Sequence, residues 1–196
     1  MSGPLNADAI RLGAAQAAAV PGAAGWVPKG SIWFDKPNSY LSRTPSSAGN
    51  RRTFSLSCWI KLSTIDANQA IWDAAPSGEG NEDVFIFRSD NIPEWTSAGY
   101  DYARATPQVL RDPTAWYHIL MVINSPNPNQ TQRALMYING KSISNAAGNV
   151  MSLNYDAPFW NNTNLHSIGT RQHPTVGTQY RYGSYLSEAI HLDGYA

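Results

Sequence analysis

From Ser31 onward the chain is written as short runs rich in aromatic and β-branched residues, separated by clusters of Gly, Pro, Asn and Ser, and such punctuation leaves few folds open. In Phe54-Ser55-Leu56-Ser57-Cys58-Trp59-Ile60-Lys61-Leu62, the residues Phe54, Leu56, Cys58, Ile60 and Leu62 fall on one face. Ser55, Ser57, Trp59 and Lys61 fall on the other. That period of two belongs to an extended strand with one buried side, and it makes Cys58 a core residue, since free cysteine behaves as a small hydrophobe. The run Trp116 to Ile123 is apolar on both faces, which predicts a central strand covered on both sides, with His118 as a hydrogen-bonding residue within it. Ala134 to Ile138, then Asn139-Gly140, then Lys141 to Ile143 reads as a hairpin, because Asn and Gly both tolerate positive φ. Further strands are expected at Ser31 to Asp35, Ala70 to Asp73, Asp83 to Arg88, Tyr100 to Ala103, His166 to Gly169 and Tyr185 to Leu192. Helical periodicity is absent after residue 25. Many short antiparallel strands of this kind predict an all-β, two-sheet antiparallel sandwich or jelly roll spanning residues 31–196.

The first 30 residues differ. They are dominated by Ala and Gly with almost no aromatic content, and they predict an N-terminal arm. A helix from Asp8 to Ala19 would be marginal alone and would need a partner surface. The arm therefore either stays disordered or orders on a neighbouring subunit.

Charge and cysteine content narrow the function. Lys plus Arg number 14 and Asp plus Glu number 14, so no long-range field draws the chain to nucleic acid or to an anionic membrane. One cysteine precludes an internal disulfide framework and a multi-thiolate zinc site. The histidines His118, His166, His173 and His191 include no pair at helical ligand spacing. No apolar stretch is long enough to span a bilayer, and the N-terminus lacks a secretory pattern, so membrane insertion and export are not expected. Asn129-Gln130-Thr131 and Asn161-Asn162-Thr163 match the glycosylation sequon, but without an export signal the matches are read as incidental.

Several runs, in order, resemble the laminin-G-like, concanavalin A-type jelly roll of bacteriophage tail-fibre and virion proteins. The likeness rests on Tyr40 to Phe54, Ser57-Cys58-Trp59-Ile60-Lys61, Arg111 to His118, Tyr137-Ile138-Asn139-Gly140, Ile168-Gly169 and Tyr185 to Gly194, and it spans residues 31–194. The resemblance implies a sandwich whose first strand lies beside the last, near Glu188 to Asp193. It also implies a virion location, reached from the host cytoplasm, in a protein that forms a homo-oligomer and contacts other virion proteins through its arm. Relatives usually continue past the Asp-Gly pair, so the natural chain either ends near Ala196 or runs on.

The same fold class hosts glycoside hydrolases, which need two carboxylates flanking the bond. The E-x-D-x-x-E strand motif of the jelly-roll glucanases is absent. Glu82 and Asp83 are adjacent, and Glu188 and Asp193 are an odd five residues apart, so regular strands would aim each pair to opposite faces. No nucleophile elbow or phosphate loop occurs. The expectation is therefore a non-catalytic virion structural protein, a decoration or tail-fibre subunit. Binding of a host-surface carbohydrate is the alternative, and glycoside hydrolysis ranks third. For sugar binding, two stretches offer aromatic rings and amides: Trp95, Tyr100 and Tyr102, and then Trp160, Asn161, Asn162, Asn164, Arg171, His173, Tyr180 and Tyr182. Calcium assists many such lectins, and Asp90 and Asn91 are candidate oxygen ligands, though no metal constellation is legible in the sequence.

Overall fold

A computed structural model of the chain describes residues 30–35, 39–75, 82–98, 100–104, 108–143, 149–173 and 177–196. Nearly all of the N-terminal arm lies outside them. The described strands are β1 (Ile32–Trp33), β2 (Leu41–Arg43), β3 (Thr53–Lys61), β4 (Gln69–Ala75), β5 (Asp83–Phe87), β6 (Pro93–Ser97), β7 (Tyr100–Arg104), β8 (Tyr117–Asn124), β9 (Ala134–Ile138), β10 (Lys141–Ile143), β11 (Leu165–Ile168), β12 (Arg171–His173), β13 (Gly177–Gln179) and β14 (Tyr185–Asp193). They form two antiparallel six-stranded sheets, ordered β1-β14-β3-β8-β9-β10 and β2-β11-β4-β5-β6-β7, and the β12–β13 hairpin. Among the described residues the one helical element is a 3-10 turn over Gln130–Gln132. The architecture is the expected all-β sandwich.

Alternation builds the core. Phe54, Leu56, Cys58, Ile60 and Leu62 from β3 and its end meet Phe85, Phe87 and Trp95 from the second sheet, with Ile119, Met121, Met136 and Trp160 in the same cluster. Each such side chain contributes roughly 1.5–3 kcal/mol when removed from water. Burial pushes the Cys58 thiol pKa far up, so the cysteine is inert packing. The Asn139-Gly140 turn forms with φ of 51° and 77°, and Lys141 pairs with Ile138 as a two-residue hairpin requires.

Three expectations need correction. Strand β8 lies inside its sheet, yet only Ile119, Met121 and Ile123 are fully buried, and His118, Leu120 and Val122 are half-buried on the outer face. The stretch holding Trp95 is strand β6, buried throughout, because its polar residues are paired: Glu94 with Arg88 and Ser97 with Asp83. Finally, β1 meets β14 at Leu186 and Tyr185 rather than over residues 188–193.

The last point follows from a bulge. Between Ser187, opposite Trp59, and Ile190, opposite Ser57, strand β14 carries one residue more than β3, and Glu188 there takes φ of 50°. An extra residue in a period-two strand exchanges its faces. Before the bulge Leu186 faces the core opposite Ile60. After it His191, opposite Leu56, and Asp193, opposite Phe54, face inward, whereas Ile190 and Leu192 sit outside at 42% and 48% exposure. Parity counting across Glu188 to Asp193 therefore fails.

Candidate functional site

Where β14 turns polar, the sheets part and leave a groove of about 490 Å³ between its last residues and strands β2 and β11. Trp72, Trp160, Leu41 and Ile168 line it, and Arg43, Asn161, His166, His191 and Asp193 form its polar rim. Asn161, at φ of 57°, knots the far end. Its Nδ2 donates to the Asn50 carbonyl at 2.9 Å and to Asp193 Oδ1 at 2.6 Å, and its carbonyl accepts from Gly49 N–H at 2.8 Å. Asn50 N–H also donates to Asp193 Oδ1. A Cβ on Gly49 would lie 2.5 Å from Asp193 Oδ2 and 2.6 Å from Asn161 Oδ1, so a larger residue here would push the knot's side chains aside.

The two groove histidines differ. His166 Nδ1 lies 2.8 Å from the Asn164 carbonyl, which can only accept. Its Nε2 must then be the lone-pair nitrogen that accepts from Asn161 N–H at 3.0 Å. This is one neutral tautomer, and protonation would break the bond to Asn161. Burial, the dominant cause, and the nearby Arg43 charge push its pKa down, against the pull of the Asn164 carbonyl. The His191 ring packs edge-on to Trp160 and Phe54 and makes no hydrogen bond to a described residue. Burial lowers its pKa too, with Asp193 opposing and His166 and Arg43 adding to the effect. Arg43 has no carboxylate partner among the described residues, and Trp160 Nε1 is buried without an acceptor.

Of the residues singled out from the sequence, the structure brings Trp160 and Asn161 into this groove. Trp95, Tyr102, Trp160 and Tyr182 are 0%, 7%, 3% and 1% exposed, so none presents a face on which a sugar ring can stack. Large aromatic rings are the core of this sandwich rather than its rim. Asn162 and Asn164 fold back on Pro158 and Phe159. The backbones of Tyr100 and His173 lie in β7 and β12, and their side chains fall outside what is described. Arg171 and Tyr180 sit elsewhere, on the outer face of the second sheet, where Tyr180 packs on Ala70, Val84 and Ile86. There Arg171 pairs with Glu82 at 2.6 Å and lies over the Tyr180 ring. Asp73 accepts from Gln172 N–H beside them, and burial pushes its pKa up to about 8. Sequence reasoning missed Arg43, His191 and Asp193 as a group, because only the bulge aims the last two inward.

The carboxylates are dispersed. Asp83 is buried in the core, where it accepts from Ser97, Phe159 N–H and Trp160 N–H, while Glu82 is held by Arg171. Asn91 bonds to Asp66 through both ends of its amide, and Asp90 accepts from Ile92 N–H. These residues do not fit a calcium cage, and among the described residues no three His, Cys, Asp or Glu side chains gather as metal ligands.

Residues 35–188 match the family model described as the concanavalin A-like lectin/glucanases superfamily, laminin G type. No curated protein matches the sequence. Among solved structures the fold is similar to mouse laminin α1 domains LG4-5, with TM-score 0.56, 12% identity, and coverage of 84% of this chain and 42% of that one. It is similar to a heptameric SAP-like pentraxin of Limulus polyphemus, with TM-score 0.52, 16% identity, and coverage of 82% and 74%. It is also similar to the CBM40 of a Ruminococcus gnavus IT-sialidase, with TM-score 0.51, 8% identity, and coverage of 76% and 90%. With the family model matched across both sheets, from β1's end into β14, this chain belongs to the laminin G-type, concanavalin A-like lectin/glucanase family.

Proposed function

We propose that the chain is a non-catalytic, lectin-like module that binds a glycan in the β2–β11–β14 groove and is carried on a bacteriophage particle. The observation that carries the binding half is the groove's unengaged hydrogen-bonding capacity. The Arg43 guanidinium and the His191 ring lie on its rim without hydrogen-bond partners among the described residues, and Asp193 Oδ2 and Asn161 Oδ1 add acceptors at the knotted end. Vicinal sugar hydroxyls donate and accept at once, so they match a rim holding both kinds of group. The CBM40 of similar fold has been solved with α2,3-sialyllactose, which supports a sandwich of this shape as a glycan host.

Non-catalytic action is supported by the acid count. Among the described lining residues the groove holds one carboxylate, Asp193, whereas glycoside hydrolysis of the common kinds requires two. The particle half rests on the phage-like sequence pattern across residues 31–194 and on the Ala/Gly composition of the arm, which gains order by burying surface on a neighbour.

Two experiments separate the halves. A glycan array probed with the whole chain and with Asp193→Asn tests binding: a hit that weakens in the variant is expected, and no hit at all rejects it. Deleting residues 1–25 tests anchoring: the truncated chain should fail to join particles, and unimpaired assembly rejects that role.

A further inference from the structure

The sandwich opens a second time at its opposite edge, where β9 and β10 of one sheet face β7 of the other, in a pocket of about 290 Å³. Its inner wall is apolar, formed by the buried Tyr102, Ala134 and Met151. Gln130, Gln132, Ser142 and Asn149 stand around it, and none of these side chains hydrogen-bonds to a described residue. Among the described lining residues none is charged.

The pocket is held rigid from behind. Arg133, 9% exposed, donates from Nε to the Asn127 carbonyl at 2.8 Å, from Nη1 to the Met151 carbonyl at 2.9 Å and from Nη2 to the Pro128 carbonyl at 3.2 Å. One guanidinium thus staples the turn that presents Gln130 and Gln132 to the strip that contributes Met151. Asn129 Oδ1 accepts from Thr131 N–H at 3.1 Å and from its hydroxyl, which fixes that turn further. Two prolines, Pro126 and Pro128, stiffen its approach. A fixed turn beneath the exposed Gln130 and Gln132 lowers the ordering cost of a ligand that uses their amides.

We propose that this pocket is a second binding site, for a neutral N-acetylated sugar. Its volume lies just below the usual range of ligand pockets, about 300–1,000 Å³, which suits one sugar residue. Without a charged lining group, an ionic ligand would lose its hydration and gain no counter-charge. An acetamido group brings a methyl for the Met151–Tyr102 wall and, beside it, an N–H and a C=O for the Gln and Asn amides, which a plain hexose does not.

Titration of the isotope-labelled full chain with N-acetylglucosamine and with glucose, followed by amide NMR, tests the site independently of the groove. Expected are shifts at residues 130–132, 142 and 149–151 with N-acetylglucosamine, about tenfold weaker binding of glucose, and loss of those shifts in Ser142→Trp, which plugs the mouth. Gln132→Ala, a surface change that leaves the fold intact, should weaken binding several-fold. Absence of shifts at millimolar sugar, equal response to glucose, or indifference to both substitutions would overturn the proposal.

Discussion

The two openings of the sandwich lie at opposite edges of the same pair of sheets, yet they are furnished differently. The β2–β11–β14 groove is rimmed by an arginine, two histidines and an aspartate, whereas the β9–β10 pocket is lined by amides, hydroxyls and apolar side chains. Their supports differ as well. A bulge and a glycine-dependent knot shape the groove, and one arginine bonded to three carbonyls shapes the pocket. The lesson is that a sheet edge acquires chemistry through whatever interrupts regular pairing there. A bulge re-aims existing strand residues, while a stapled loop brings new ones.

That contrast can be broken or sharpened by four changes, beginning with the largest. Asp83→Ala should cost about 3 kcal/mol in urea unfolding, because it takes the acceptor from the Phe159 and Trp160 amides together and leaves the buried Ser97 hydroxyl with Tyr155 alone. Since those amides set the Trp160 floor, groove binding should fall in the surviving fold while the pocket holds. Asp193→Ala removes the acceptor that Asn50 N–H and Asn161 Nδ2 share and should open the knotted end of the groove. Groove affinity on a glycan array should drop about tenfold, roughly 1.4 kcal/mol, with pocket shifts unchanged; a variant that still binds would show that the inward-facing end of β14 does not furnish the rim.

Acid should separate the two sites next. A histidine whose folded pKa lies below its ordinary 6.5 binds its proton more weakly in the folded chain. Its contribution is therefore full above pH 6.5 and lost as pH falls from there through the lower folded pKa. Between pH 7 and 5, groove affinity should decline and His166→Gln, which cannot titrate, should flatten the decline. After discounting for the half-exposed ring, the associated stability change is at most about 1 kcal/mol per pH unit. The pocket, which has no Asp, Glu or His among its described lining residues, should stay level. The smallest effect is expected from Arg43→Ala, about 0.5–1 kcal/mol or a few-fold in groove affinity by calorimetry, because the guanidinium is exposed and water competes for it.

Much of this was legible in the residues. The inner face of β3 and the Asn139-Gly140 hairpin follow from alternation and from tolerance of positive φ, both local properties. Two aromatic candidates went astray for a physical reason: Trp95 and Tyr182 lie in runs punctuated like loops, yet their ring area is worth more inside the core than at a rim. Arg171 and Tyr180 went astray because their hairpin folds over the outer face of the second sheet, which no local pattern announces.

By itself the sequence determined the class of the molecule, two antiparallel sheets closing over the apolar half of each strand, because period-two burial is written residue by residue. Tertiary structure alone decided which polar groups meet in a cleft. That choice hangs on one extra residue at Glu188 and on contacts such as Asn161 to Asp193, 32 positions apart, and face parity and long-range pairing exist only once the strands are laid side by side.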